Sequence, residues 1–218
     1  NYSEVLRIAF NSLKYFISTN DSLQIANTYN SIGVTYKILE NYEKSLTYYN
    51  LSDEYFKGKG DKRGKSRILN NKGTVFLNLK KYQDALENFK KSLEIEREIG
   101  SADNISTRYN NIGLTYAYLG NYESSIYYLR LCHNRYKKAG NLIELANSYE
   151  SLAQFYDLKK DADSLEYYLL KSYKLCEQLN IKRLKALVAF KLSELYKSKN
   201  DIKKAFSYLV VYKTVDDS

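Results

Sequence analysis

Tyr29-Asn30-Ser31-Ile32-Gly33-Val34-Thr35-Tyr36 returns eighty residues later as Tyr109-Asn110-Asn111-Ile112-Gly113-Leu114-Thr115-Tyr116, and Leu69-Asn70-Asn71-Lys72-Gly73-Thr74-Val75-Phe76 stands midway between them. Ala153 with Tyr156 and Ser193 with Tyr196 continue the series, so a small residue recurs every forty positions, at 33, 73, 113, 153 and 193. A second series, Asn20, Gly60, Gly100, Gly140 and Asn180, consists of residues that enter the left-handed conformation a helix C-cap requires. A third, Tyr42, Tyr82 and Tyr122, follows Asn41, Lys81 and Asn121 and opens the second helix of each unit.

Within a unit the apolar residues fall at helical spacing, as in Ala85, Leu86, Phe89, Leu93 and Ile95, with Lys and Glu between them. The pattern predicts eleven helices, near 2–18, 23–39, 42–58, 63–79, 82–98, 103–119, 122–138, 143–158, 162–178, 183–198 and 202–214. Composition agrees. The 218 residues include no Pro, where average usage of about 5% would supply roughly eleven, and long helices joined by short turns are what a chain without Pro builds most readily. No apolar run approaches the roughly 18 residues of a membrane span. The chain opens on Asn1-Tyr2-Ser3-Glu4, with no initiator Met, basic n-region or apolar h-region, and its first segment aligns with residues 42–61. It therefore reads as a fragment or processed product that begins with the second helix of an interrupted repeat.

These residues resemble the tetratricopeptide repeat, whose pattern is W-x2-L-G-x2-Y, then A-x3-F, then P. Tyr29, Ile32, Gly33, Tyr36, Ser45 and Tyr49 fill the leading positions in the first full repeat, with Lys57 in place of the Pro. Leu69, Lys72, Gly73, Phe76, Ala85 and Phe89 fill them in the second, and Tyr109, Ile112, Gly113, Tyr116, Ser125 and Leu129 in the third. The fourth has Tyr149, Leu152, Ala153 and Tyr156, but Ser164 arrives one residue early and Asp161 or Ala162 replaces the usual Tyr, which puts its inter-helix turn in question. Leu192, Ser193, Tyr196, Ala205 and Leu209 make the fifth. The resemblance implies an all-α solenoid of antiparallel helical hairpins, a right-handed superhelix with a concave groove, in one domain over 1–218. Its segments are 1–21, 22–61, 62–101, 102–141, 142–181 and 182–218.

The small residue of each unit is expected at a close helix crossing, with most of the 24 Tyr packed beside it and their hydroxyls reaching the surface. Cys132 shares a register with Ser12, Ser52, Ser92 and Ser172, a small-residue slot, and the two Cys form neither a metal-ligand spacing nor a disulfide framework. Gly58-Lys59-Gly60-Asp61-Lys62-Arg63-Gly64-Lys65-Ser66 looks like a phosphate-binding loop, but Gly60 and Gly64 enclose three residues where that motif needs four, and no strand precedes it. Lys57, Lys59, Lys62, Arg63, Lys65 and Arg67, against Asp61, form either a solvated loop or a place for an anion near a helix N-terminus. The net charge of +9 is spread along the chain, with no basic stripe interleaved with aromatics, so no direct contact with nucleic acid or membrane is expected. His133 is the single His and is expected to face solvent; with no paired carboxylates and no nucleophile signature, no catalytic residue, metal or cofactor is assigned.

In tetratricopeptide domains the first helix of each repeat lines the concave surface. That register gives Asn27, Asn30, Val34 and Lys37, then Arg67, Asn70, Thr74 and Leu77, then Thr107, Asn110, Leu114 and Ala117. The column Asn30, Asn70 and Asn110, with Asn71 and Asn111 beside it, resembles the Asn ladder of peptide-binding members, in which an amide both donates to and accepts from an extended peptide backbone. The alternative is that these Asn are solvated or bond an adjacent helix. The column breaks at Glu150 and Phe190, and the two-Lys carboxylate clamp of chaperone-binding relatives is not reproduced.

The resemblance thus implies a non-catalytic protein- or peptide-binding module. The YNNIG-x2-Y-x2-LGNY wording and the Tyr212-Lys213-Thr214-Val215-Asp216-Asp217-Ser218 ending look like the sensory region of bacterial sensor histidine kinases and transcriptional regulators, where the repeats lie outside the cytoplasmic membrane. A cytoplasmic scaffold or assembly factor, self-associating as a homodimer through an uncapped solenoid end, is the other reading.

Overall fold

The computed structural model describes residues 1–216, with side chains other than those at 57, 59, 215 and 216. Lys57 in the Pro position, the charge of Lys59 and the end of the chain from Val215 to Ser218 lie outside the described side chains. Among the described residues there are eleven α-helices and no strand: α1 Tyr2–Ser18, α2 Ser22–Ile38, α3 Tyr42–Lys59, α4 Lys62–Asn78, α5 Tyr82–Ile99, α6 Ala102–Tyr118, α7 Tyr122–Ala139, α8 Leu142–Leu158, α9 Ala162–Gln178, α10 Lys182–Ser198 and α11 Ile202–Asp216. Each expected helix is present; α1 and α9 have the expected bounds and no other end differs by more than two residues. By contacts the chain divides into two compact units, Asn1–Asn111 and from Ile112 onward, with the division inside α6.

One turn joins every helix to the next. Asp21 N–H donates to Phe16 O, Asn41 to Tyr36, Asp61 to Phe56, Lys81 to Phe76, and the same bond returns every twenty residues to Asp201 and Tyr196. This is the six-to-one closure of a helix C-terminus, and it places the residue before it in the left-handed region. Gly60, Gly100 and Gly140 occupy that place at φ +67, +76 and +67, but Glu40, Lys80 and Lys160 do so at +57, +58 and +59 without a glycine's freedom. The next residue starts the following helix: Asp21, Asp61, Asn121, Asn141 and Asp161 each accept the N–H three residues on at 3.0 to 3.2 Å, the Asx cap that satisfies a first-turn donor. The fourth repeat's turn, questioned on sequence, has this same form. Asp161 accepts from both the amide and the hydroxyl of Ser164, and α9 starts in register at Ala162.

In the first unit α2 packs on α3 and α4 on α5 as hairpins. A Cβ on Gly33 would lie 2.7 Å from the Tyr49 ring, and one on Gly73 2.6 Å from that of Phe89, so the small residue is a contact with a fully buried aromatic of the partner helix. A second link ties the pair: Ser45 Oγ donates to Gly33 O at 2.8 Å, and Ser52 Oγ to Ala26 O at 2.7 Å. Lys72, in the Leu position of its repeat, pairs with Asp53 at 3.2 Å in this half-buried setting.

In the second unit α8 packs on α9 and α10 on α11, with α7 against α8. Leu129 meets Gly113 as the aromatics meet Gly33 and Gly73. Tyr156 stacks on Tyr168 at 5.3 Å and Tyr196 on Tyr208 at 5.7 Å, the spacing of twelve residues also seen for Tyr36 on Tyr48 in the first unit. The Tyr abundance is therefore helix packing at these positions. Cys132 is buried in the register of Ser52, Ser92 and Ser172. His133 departs from expectation: its ring lies 4.8 Å from that of Tyr149, and Nδ1 is 2.9 Å from Ser148 Oγ, so it packs against α8 instead of facing solvent. Burial first, then Lys137, holds its imidazole below the ordinary value, which favours the neutral ring.

Candidate peptide-binding face

The residues Asn27, Asn30, Lys37, Arg67, Asn70, Asn71, Thr107, Asn110 and Asn111 all belong to the first unit, on α2, α4 and the first half of α6. The structure joins most of them. Asn71 Nδ2 donates to Asn30 Oδ1 at 2.9 Å, and Asn111 Nδ2 donates to Asn70 Oδ1 at 2.9 Å. Asn30 and Asn70 thus each spend the carbonyl on the next repeat. The two expected roles of the column separate: acceptance goes to a neighbouring helix, while the Nδ2 groups of Asn30 and Asn70, like the whole amide of Asn110, make no bond among the described residues. All three side chains are half-buried.

The break in the column at Glu150 is a substitution of chemistry. In the second unit Glu150 pairs with Lys191, at the same forty-one-residue separation as the two amide links. An ion pair there replaces an Asn–Asn bond as the tie between successive first helices.

Arg67 extends the row toward the helix N-termini, where its guanidinium donates to Asn27 Oδ1 at 2.6 Å and lies 5.5 Å over the Phe56 ring. Lys37, at the opposite end of α2, is half-buried and forms no ion pair among the described residues; burial lowers its pKa. Thr107 is exposed and its hydroxyl bonds Asp103 O at 3.3 Å. Ala117, expected on the lining, is instead buried at 3% exposure with Leu129, Leu152 and Phe155 in the second unit.

Beneath Arg67 lies a network that the sequence reading did not identify. Glu96 and Arg108 are 2% and 6% exposed and face each other at 3.3 Å. Glu96 Oε1 also accepts from Ser66 Oγ at 2.5 Å and Oε2 from Asn104 Nδ2 at 3.1 Å, while Arg108 Nε donates to Ser92 Oγ at 2.7 Å. The signal was present: Glu96 shares its register with Phe16, Phe56, Tyr136 and Cys176, and Arg108 with Thr28, Ile68, Ser148 and Val188, so two charged residues stand in registers otherwise uncharged. Above this floor opens a polar cavity of about 550 Å³, with Arg63, Arg67, Asn70 and Asn104 on its walls. No group of His, Cys, Asp and Glu able to hold a metal occurs among the described residues, and no helix among them is long and apolar enough to cross a membrane.

Two tetratricopeptide-repeat family profiles match the chain, at residues 26–57 and 65–138. No curated protein sequence matches it. Among solved structures, BtubC (BKLC) from P. vanneervenii superposes with a TM-score of 0.77 at 15% identity, over 100% of this chain and 91% of that one. A Rap protein complexed with competence and sporulation factor gives 0.82 at 14% identity, over 94% of this chain, which spans 57% of the Rap chain. The signal transduction ATPase with a tetratricopeptide repeat sensor from Pyrococcus horikoshii gives 0.75 at 20% identity, over 99% of this chain and 36% of that one. The forty-residue register, the glycine-to-aromatic crossings and the profile matches agree: the chain is a tetratricopeptide-repeat protein.

Proposed function

We propose that this chain is a non-catalytic module that binds an extended peptide along the α2–α4–α6 face of its first unit. The observation that carries the reading is the row of amide donors. Asn30, Asn70 and Asn110 keep Nδ2 groups without an acceptor among the described residues, at forty-residue intervals, with their carbonyls at 30 and 70 pinned by Asn71 and Asn111. An amide fixed at its oxygen presents its N–H groups in one direction, so binding a peptide carbonyl costs little ordering entropy. Half-buried Lys37, without an acid partner, adds a cation at the far end. The resemblance to a Rap protein solved with a signalling factor, and to a signal transduction ATPase with a repeat sensor, supports placing the module in a signal-transduction protein. A bacterial sensor kinase or transcriptional regulator, with these repeats outside the cytoplasmic membrane, is the form we favour.

Asn70→Asp tests this with little structural damage. The carboxylate keeps an oxygen for Asn111 Nδ2, removes the donors and adds a negative charge, so Asn30→Asp, which leaves an oxygen for Asn71 Nδ2 and lies outside the arginine-lined cavity, is measured beside it. Affinity for a selected peptide should fall about tenfold, measured by calorimetry, while the urea midpoint stays within error. Unchanged affinity would sink the donor role.

A second reading rests on α11, where Ile202, Phe206 and Val210, spaced by four, are 65%, 66% and 43% exposed. A cytoplasmic scaffold that self-associates through this helix would bury them. Sedimentation should then give a mass that rises with concentration, and Phe206→Glu should hold it at the monomer; a monomer throughout rejects this form.

A further inference from the structure

We infer that the polar cavity between α2, α4, α5 and α6 is a subsite for one acidic side chain of the bound peptide. The inference rests on the peptide-binding reading above and names the chemistry of one position. Three guanidiniums, Arg63, Arg67 and Arg108, line the cavity against two carboxylates, Asp61 and Glu96. Glu96 is matched by Arg108 in the floor. Asp61 is engaged as the cap of α4, accepting the Gly64 N–H at 3.0 Å. Arg63 and Arg67 meet no acid among the described residues.

Arg67 is already arranged for an incoming anion. Its head is held by a neutral acceptor, Asn27 Oδ1, and by the Phe56 ring, so it is positioned without being neutralised. A planar guanidinium fixed in this way offers its remaining N–H groups to a carboxylate as a fork. The Asn70 amide lines the same cavity and belongs to the donor row. A backbone lying on that row would bring one of its side chains to the cavity mouth.

The charge balance selects the anion. One net positive charge suits a monoanion; a dianionic phosphate would overfill it and meet the Glu96 carboxylate in the floor. The cavity, at about 550 Å³, is far larger than an Asp or Glu side chain, so water completes the hydrogen bonds.

The test is selection of random twelve-residue peptides on the full chain, followed by calorimetry of the best binders. The wild type should yield peptides with Asp or Glu at one fixed position. Replacing that residue by Asn or Gln, or making Arg63→Gln with Arg67→Gln in the protein, should each weaken binding about 10- to 100-fold. The two losses should not add, which identifies them as one interaction. Arg63→Gln alone disturbs no described bond and guards against a folding artefact; it should weaken the acidic peptide and leave its neutral version unchanged. Peptides bound without a fixed acidic position, or unaffected by the Arg variants, would overturn the subsite while leaving the peptide-binding face standing. Tighter binding with phosphoserine at that position would overturn the choice of a carboxylate. If no peptide is selected, the binding face fails and the subsite with it.

Discussion

Glu96→Ala should be among the most damaging single changes in the first unit, lowering stability by about 3 to 5 kcal/mol, the range for removing one partner of a buried ion pair. Wild-type Glu96 holds three donors at once: Ser66 Oγ, Asn104 Nδ2 and the Arg108 guanidinium. Without it, the Arg108 charge stays at a site only 6% exposed and loses its carboxylate. At about 2 to 4 °C per kcal/mol for a chain of this size, the melting temperature should fall by about 10 °C. The companion variant decides the physical cause. Glu96→Met with Arg108→Met removes both charges together, and replacing a buried pair by apolar residues of similar volume is often neutral. The double variant should recover more than half of the loss in thermal denaturation. If it is as unstable as the single variant, the network stabilises through its hydrogen bonds and shape, not through charge matching.

The same pair shows why the sequence was legible in some places and not in others. The helices, the forty-residue register and the left-handed C-caps at Gly60, Gly100 and Gly140 could be read because each depends on a local property, periodic apolarity or freedom of φ, that repeats along the chain. Lys80 and Lys160 adopt the same φ without any such signature, since there the turn's bonding imposes the conformation. Lys72 in a Leu position, Glu96 in a Phe position and Arg108 in a register otherwise uncharged all break the pattern. Their partners, Asp53 for Lys72 and Glu96 for Arg108, lie 19 and 12 residues away and on different helices. A periodic reading flags such residues as exceptions but cannot match them. The Asn column is an intermediate case. Its spacing was visible, yet the assignment of each carbonyl to the next repeat needed the distance between two helices. The His133 expectation failed for a related reason: solvent exposure was inferred from the helix alone, whereas Ser148 and Tyr149 on α8 close over the ring.

Three glycines in the run from 58 to 64, superficially alike in sequence, should respond to alanine in three ways, and the largest response is at Gly64. A Cβ there would lie 2.3 Å from Cδ1 and 2.5 Å from Cγ of Phe56, whose ring is 2% exposed. Cγ is anchored near the α3 backbone and cannot swing clear as the tip of a flexible chain would. Overpacking of this kind costs about 3 kcal/mol at the upper end of its usual range. Ala is the better helix former by about 1 kcal/mol, so Gly64→Ala should lose about 2 kcal/mol net. Gly58, inside α3 with nothing within 4 Å of a Cβ, has only the propensity effect, and Gly58→Ala should gain up to about 1 kcal/mol. Gly60 is also open but sits at φ +67, so its cost is backbone strain of about 1 to 2 kcal/mol, independent of any neighbour. Urea unfolding of the three variants separates these causes when each is repeated on a Phe56→Ala background, which removes Cγ together with the ring. Only the Gly64 penalty should shrink, because only there does the ring occupy the space of the new methyl. The same background also removes the ring on which Arg67 rests, so it should weaken an acidic peptide without altering the Asn71 and Asn111 links. A Gly64 penalty undiminished by Phe56→Ala would mean that the α3–α4 crossing is limited by backbone approach and that the glycine is required whatever stands opposite it.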